Sequence, residues 1–361
     1  MKYKKFLKKI ITDDIGYESA TPDIVANFLA KDISERLSDL GITNINIIDC
    51  CCGIGNDALA LSKVCNFVVA VDNDKERLKI AEKNAKISLC KNIKFICEDV
   101  LNLDLKNLKN ECGLNAAFAD PQRRLMIEGK FKRTNNLPET SPNTINLINF
   151  IRAEIPDMCI LASSNADVSN LNLNCEREYI SWEGRKGKRE TLLAMYFGNL
   201  KRCNVSAVVL PGSNRIYGTG SKNNESENNE KFSDKPQKYL YEIKDCVVKA
   251  GLRNDLAKLT ECKIFNAKFL TSEKIEESSF FENGFKILGI CDKENLIENL
   301  KKINARKIVI RGKISPEEYT KMKNEIEYTL AKFNGKEKIH IFLDDKNDKI
   351  LTGKCIYPNK I

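Results

Sequence analysis

The stretch NIIDCCCGIGNDALAL, Asn46 to Leu61, runs from an apolar segment through a turn with two glycines into a helical pattern. Strand, tight turn and helix start in that order form the unit from which parallel α/β sheets are built. Gly53 and Gly55 allow positive φ and let the backbone approach a bound molecule where a side chain would collide. The spacing is G-x-G without the third glycine of the dinucleotide fingerprint, so the turn alone predicts a ligand site and not its ligand.

Working outward, FVVAVDND ends a second strand at Asp72, FICEDV a third at Glu98 and Asp99, and NAAFAD a fourth at Asp120. In an open α/β sheet, ligands bind beyond the carboxyl ends of the strands, so Asp49, Asp72 and Asp99 are expected to line one crevice. A carboxylate at the second tip can accept both hydroxyls of a ribose, and one at the third can meet an adenine amino group. Each aspartate alone is explained equally well as a turn former. MCILAS continues the sheet, and EYISW, TLLAMYF and VSAVVL follow closely enough for an antiparallel return. The expected fold is a Rossmann-like α/β domain with a mostly parallel sheet over residues 18–210. Within it, SPNTINLINFIRAEI reads as a helix capped by Ser141 with Pro142 in its first turn.

A basic segment, residues 1–17, precedes this domain. Residues 211–238 are dominated by polar and turn-forming types and read as a flexible linker or loop. Beyond them FKILGI, KIVIRG and IHIFLD read as strands and SPEEYTKMKNEIEYTLAKF as a capped helix, giving a small α+β domain over residues 239–361.

The chain of 361 residues holds 59 basic and 50 acidic side chains, a net charge of +9. The excess is local, in KYKKFLKK (Lys2–Lys9), GKFKR (Gly129–Arg133) and GRKGKR (Gly184–Arg189), which suit a phosphate-rich partner or are ordinary solvated faces. The 14 cysteines contain no C-x-x-C pair, and His340 is the sole imidazole, so no metal site is expected. Thiols scattered through apolar runs fit a reducing, cytoplasmic setting. No apolar run reaches the roughly 18 residues of a membrane span, and no secretory signal is read at the start.

TPDIVANFLA, IIDCCCGIGNDALAL, VAVDNDKERLKIAEKNA, CEDV and ADPQRR together resemble a class I S-adenosylmethionine-dependent methyltransferase across residues 18–200. The resemblance implies S-adenosylmethionine as cofactor. Its methionine part would lie on the glycine turn, its ribose on Asp72 and its adenine on Asp99, with Asp49 facing the positively charged methionyl end. Thr21, Asp49, Cys51, Gly53, Gly55, Asp72, Asn73, Asp99 and Val100 are the cofactor-binding candidates. With KYLYEIKDCVVKAGL and FKILGI added, the chain resembles bacterial and archaeal methyltransferases that carry a C-terminal THUMP-like domain. These are similar around the turn to the trimethylguanosine synthase group, which acts on guanine N2 in RNA. RNA is therefore the implied partner, and the C-terminal domain its implied recognition module.

Methyl transfer needs a nucleophile held in line and water kept out. The resemblance places that task at ADPQRR, where Asp120 and Pro121 are the catalytic candidates. A carboxylate there can orient an amine lone pair or take its proton. The pattern departs from the family in lacking a second proline or an aromatic after Pro121. Gln122 suits a base edge, and Arg123 and Arg124 suit phosphate or a planar group; pairing with Asp120 or capping a helix is the alternative for either arginine. Trp182 is a base-stacking candidate beside GRKGKR or a core residue. Thr21 contacts the cofactor or caps the next helix, and Cys50, Cys51 and Cys52 pack around the turn, a reactive thiolate needing a cation that the turn does not offer. Other readings keep the chemistry with a protein or small-molecule substrate, retain the fold in a non-catalytic RNA-binding module, or make the chain an NAD-dependent dehydrogenase.

Overall fold

The computed structural model describes residues 4–127, 130–168, 170–218, 232–344 and 349–357. The chain divides into two compact units, one formed by residues 1–222 with 245–252, the other by residues 223–244 with 253–361.

In the first unit the expected strands are β1 (Asn46–Asp49), β2 (Phe67–Asp72), β3 (Ile93–Cys97) and β4 (Ala116–Ala119), with a hairpin of β5 (Arg124–Ile127) and β6 (Lys130–Arg133) after the fourth. They continue as β7 (Met158–Ser163), β8 (Glu176–Glu183), β9 (Arg189–Tyr196), β10 (Val205–Val209) and β11 (Asn214–Gly218). Nine of them form one sheet in the order β11-β10-β8-β9-β7-β4-β1-β2-β3. β1 pairs in parallel with both β2 and β4, which places the glycine turn at the carboxyl ends of the parallel strands, between β2 and β4. The expected antiparallel return is β9, inserted between β7 and β8 and antiparallel to both.

The helices of this unit are α1 (Asp14–Ser19), α2 (Asp23–Asp39), α3 (Asn56–Leu61), α4 (Lys75–Ile87), α5 (Leu105–Cys112), α6 (Thr144–Glu154) and α7 (Asp245–Ala250). Buried Val25, Leu29, Ile33 and Leu37 of α2 recur at helical spacing and pack with Ile47, Ala70, Phe118 and Ile180 in one apolar cluster. Two caps differ from expectation. The α2 N-cap is Pro22, leaving Thr21 outside the helix, and the α6 cap is Asn143, whose side chain accepts from the Ile145 and Asn146 amides. Asn143 sits two residues nearer the periodic run than Ser141, so its short side chain reaches the free N–H groups first.

Part of the segment expected as a linker is also ordered. Asn214–Gly218 pair antiparallel with β10, with Ile216 buried and Arg215 held by Glu178 and Asp32. One buried apolar side chain and one ion-paired arginine are enough to hold this polar stretch in the sheet. Residues 219–231 of the same expected linker lie outside the described residues, and α7, expected to follow the linker in the second domain, packs on β8 and β10 of the first.

The second unit holds β12 (Tyr239–Ile243), β13 (Lys263–Ile264), β14 (Phe269–Ser272), β15 (Phe281–Asp292), β16 (Ala305–Arg311), β17 (Glu337–Asp344) and β18 (Lys349–Cys355), with α8 (Arg253–Leu259), α9 (Leu296–Lys302) and α10 (Pro316–Leu330). Its strands form one sheet ordered β13-β14-β12-β15-β18-β17-β16. α10 begins with the expected capping box, Ser315 and Glu318 satisfying each other's backbone amides. His340 lies in β17, accepts at Nδ1 from Arg311 Nε at 3.1 Å and packs on Phe285; burial and then Arg311 lower its imidazole to about 4.

Candidate active site

Beyond the carboxyl ends of β1 to β4 lies a cleft of about 260 Å³. Its floor is the turn after β1. Gly53 has φ +53° with nothing within 4 Å of where a Cβ would stand, so it keeps one wall of the cleft open. Gly55 has φ +86°, and a Cβ there would meet Ala81 of α4 at 2.9 Å. The first glycine serves the ligand space and the second the packing of the turn on α4.

Most of the candidates meet here. Cys51, Gly53, Asp72, Asn73, Asp99, Val100, Asp120, Pro121, Gln122, Arg123 and Arg124 all line the cleft. Asp72 Oδ2 accepts from Gly53 N at 2.7 Å and Oδ1 from Asp74 N at 3.0 Å. Each carboxylate oxygen retains a second lone pair, so both can still receive a ligand hydroxyl. Asp99 spends Oδ1 on capping the short turn Val100–Asn102 through Leu101 N. Cys50, Cys51 and Cys52 line the turn with their thiols held well above the ordinary range, chiefly by burial. They are small apolar packing groups and not thiolates.

Four candidates are placed differently, the first being Thr21, which does not line the cleft and bonds to Asp57. Asp49 is 1% exposed and stands behind the cleft wall, with Oδ2 lacking a partner among the described residues. Burial, reinforced by Asp57, holds its carboxyl well above the usual range. Gly55 lies beneath the wall. Trp182 is 5% exposed in the apolar cluster under the sheet and does not line the cleft. It shares one face of β8 with Ile180, which fits the core reading of this residue and not its base-stacking alternative.

Asp57 is the residue that strand-tip reasoning passed over. It sits in the first turn of α3, immediately after the glycines, and lines the cleft that Asp49 does not reach. Burial, with Asp120 adding to it, pushes its carboxyl up to about 7, while a hydrogen bond from Thr21 Oγ1 at 2.9 Å opposes the rise. Thr21 is therefore a carboxylate partner and does not cap α2. The available signal was an acid directly after G-x-G at a helix start, where ordinary N-terminal preference masks a site role.

Asp120 is raised by burial against the pull of Arg123, Thr21, Arg133 and Lys5. Arg123 approaches it at 3.5 Å, and Arg124 reaches Glu18 at 3.6 Å. Gln122 exchanges both backbone hydrogen bonds with Ser141, fixing the DPQRR loop against the start of α6. Asp49 Oδ2, Asp57 Oδ1 and Asp120 Oδ1 are buried acceptors with no hydrogen-bond partner among the described residues. Buried carboxylate oxygens without a donor are costly, so Asp57 and Asp120 in the lining, with Asp49 behind it, fit a cationic, hydrogen-bond-donating ligand.

The methyltransferase-domain family model matches residues 47–123, from β1 through the DPQRR loop. Residues 47–123 therefore carry an S-adenosylmethionine-dependent methyltransferase domain. A Porphyromonas gingivalis W83 protein provisionally assigned as a methyltransferase is similar in fold, with a TM-score of 0.71 over 96% of this chain and 84% of its own at 16% identity. A Pyrococcus horikoshii protein provisionally assigned as an RNA methyltransferase matches 53% of this chain and 93% of its own, at 14% identity and a TM-score of 0.37. A Streptococcus mutans protein in complex with S-adenosylhomocysteine matches 52% and 100%, at 14% identity and a TM-score of 0.30. In this methyltransferase domain the acidic cleft fits the cofactor. Asp72 has lone pairs for a ribose, Gly53 leaves backbone space, and the carboxylates complement a positive methionyl end. When bound, the cofactor supplies an electrophilic methyl carbon on a sulfonium leaving group.

Proposed function

We propose that this methyltransferase acts on a base nitrogen of RNA, with Asp120 orienting the nucleophile. The observation that carries the reading is the mixed charge of the cleft lining, in which Asp57, Asp72, Asp99 and Asp120 stand together with Arg77, Arg123, Arg124 and Arg133. Lys5 lies close enough to the last two for their charges to lower it, after burial, to about 8. Carboxylates and guanidiniums in one lining suit a cationic cofactor beside a phosphate-bearing substrate. In that reading Thr21 helps shape the floor, Asp72 and Asn73 hold the ribose, Asp99 and Val100 the adenine, and Gln122 meets a base edge. The C-terminal unit is proposed as a THUMP-like module that adds RNA-binding surface.

The test is tritium transfer from labelled cofactor into total RNA from a strain lacking the protein, followed by nucleoside mapping. A labelled base nitrogen whose yield falls steeply between low and moderate salt is expected, because phosphate contacts release counterions. Label confined to protein or to small molecules would refute the RNA assignment and leave the methyltransferase domain intact.

A further inference from the structure

The four arginines of the cleft lining are not equally partnered. Arg77 pairs with Asp13 at 3.3 Å and lies 3.8 Å from Asp74, and Arg123 stands 3.5 Å from Asp120. Arg124 and Arg133 face each other in register across the hairpin of β5 and β6. Thr134 N donates to Arg123 O at 2.8 Å, so the next pair along, Arg124 with Arg133, is of the non-hydrogen-bonded kind, in which opposed side chains come closest. Like charges placed directly opposite are destabilising. Among the described residues, the pair shares one acidic neighbour, Glu18. Arg124 Nη2 lies 3.6 Å from Glu18 Oε2, beyond hydrogen-bond length, and Arg133 Nη2 reaches the Glu18 carbonyl at 3.4 Å. The Glu18 side chain is 55% exposed and does not line the cleft, whereas that of Arg124 is 12% exposed. Two guanidiniums, one of them largely buried, thus stand side by side in the lining against a single solvated carboxylate, and an anion entering the cleft would relieve their opposition.

We propose that Arg124 and Arg133 form a phosphate seat, which holds the phosphate of the nucleotide whose base meets Asp120. This rests on the RNA-base reading above and deepens it, since the substrate is then gripped through the reacting nucleotide's own phosphate. A phosphate presents several oxygens around one centre and can accept from two planar guanidinium forks at once. Within a nucleotide, base and phosphate are one ribose apart, so a seat in the same lining as Asp120 is within reach of the phosphate attached to the reacting base. The two ends of that grip are also fixed to each other. Gln122 and Ser141 exchange backbone hydrogen bonds, and Thr134 N bonds to Arg123 O, so Asp120 and the hairpin belong to one continuous, bonded piece of backbone. Holding the phosphate therefore orients the base towards Asp120, the positioning that in-line transfer requires. The like-charge pair is the structural cost of a site whose counter-ion arrives with the substrate.

Two measurements on the full chain decide it. In nitrogen NMR of arginine-labelled protein, inorganic phosphate should shift the Arg124 and Arg133 Nε signals together and to saturation, while Arg77 stays in place. Shifts that sodium chloride reproduces at equal ionic strength would overturn the seat. In fluorescence anisotropy with a labelled single-stranded oligoribonucleotide, Arg133→Gln should weaken binding about tenfold at low salt and reduce the slope of log affinity against log salt by about one. Lys132→Gln, one residue along the hairpin and on its opposite face, should leave that slope unchanged. Without ligand, Arg133→Gln should be at least as stable as the parent, because it removes the like-charge opposition. An unchanged slope in Arg133→Gln, an equal fall in Lys132→Gln, or a loss of stability that makes Arg133 a support of the hairpin would each overturn the seat. Phosphate saturation in a protein that methylates no RNA would overturn the RNA reading and leave the seat for a phosphorylated small molecule. Methylated RNA with a parental slope in Arg133→Gln would overturn the seat and leave the RNA reading.

Discussion

Gly53 N donates to Asp72 Oδ2 at 2.7 Å, so the turn after the first strand is tied directly to the acid at the tip of the second. The turn is thus held by the side chain proposed to bind the cofactor's ribose. One carboxylate sets the shape of the turn and keeps a further lone pair on each oxygen.

Asp72→Asn should therefore fail twice. An amide has a single acceptor oxygen, whereas Gly53 N and Asp74 N approach different carboxylate oxygens, so one N–H would face an NH2 group. Loss of one such bond with a donor left unsatisfied costs roughly 1–3 kcal/mol. A urea midpoint lowered accordingly, with cofactor affinity by calorimetry down at least tenfold, is expected; an unchanged midpoint would show that the turn does not depend on this bond.

Gly53→Ala separates space from strain. The residue has φ +53°, which costs a non-glycine residue about 1–2 kcal/mol, yet the position has no protein atom within 4 Å of a Cβ. Folding should survive with a modest fall in thermal midpoint, while the methyl group intrudes on the ligand and lowers cofactor affinity more than stability. Equal losses in the two measurements would mean that the open space is not ligand space.

The fold was legible because burial at the central strands leaves little freedom: NIID, FVVAVD and NAAFAD are apolar runs that only a covered parallel sheet accommodates. The cleft was legible for a related reason, since glycines and strand-ending acids stand where a doubly wound sheet puts its ligands. What could not be read were contacts set by distant segments. Thr21 meets Asp57, Arg215 meets Asp32, and Trp182 turns inward, and in each case the partner is chosen by tertiary packing and not by sequence spacing.

Arg36 illustrates such a contact and its energetic weight. Its side chain is fully buried, pairs with Asp32 and Glu176 at 2.7 Å and with Glu178 at 3.3 Å, and lies 3.8 Å over the Tyr196 ring. Arg36→Met would leave Arg215 as the guanidinium for Asp32 and Glu178, and Glu176 with the Arg202 amide and Ser206 hydroxyl as donors and its Arg36 ion pair lost. Removing one partner of a buried ion pair typically costs 3–5 kcal/mol, so a loss of about that size in chemical unfolding is expected. A variant as stable as the parent would show that hydrophobic packing compensates for the whole network.

Trp182→Phe tests the inward placement. Trp182 Nε1 is buried with no partner among the described residues, so phenylalanine removes an unsatisfied donor at the expense of some packing volume. Stability should change by less than about 1.5 kcal/mol, and methyl transfer should be retained. A large loss of transfer at unchanged stability would return the indole to substrate binding.

Stability should also depend on pH in a defined sense. Burial pushes Asp57 up to about 7, and burial with Asp32 pushes Glu178 up to about 7 against Arg215 and Arg36. In the unfolded chain both titrate near ordinary carboxylate values, so between about pH 4 and pH 7 the folded state holds more protons than the unfolded one. Stability therefore falls as pH rises through that window and levels off above it, for these two groups. Asp57→Asn removes one of the two contributions without touching Glu178. A thermal midpoint measured from pH 5 to pH 8 should thus decline less steeply in Asp57→Asn than in the parent, whereas parallel curves would mean that Asp57 is ionised at neutral pH in the folded protein.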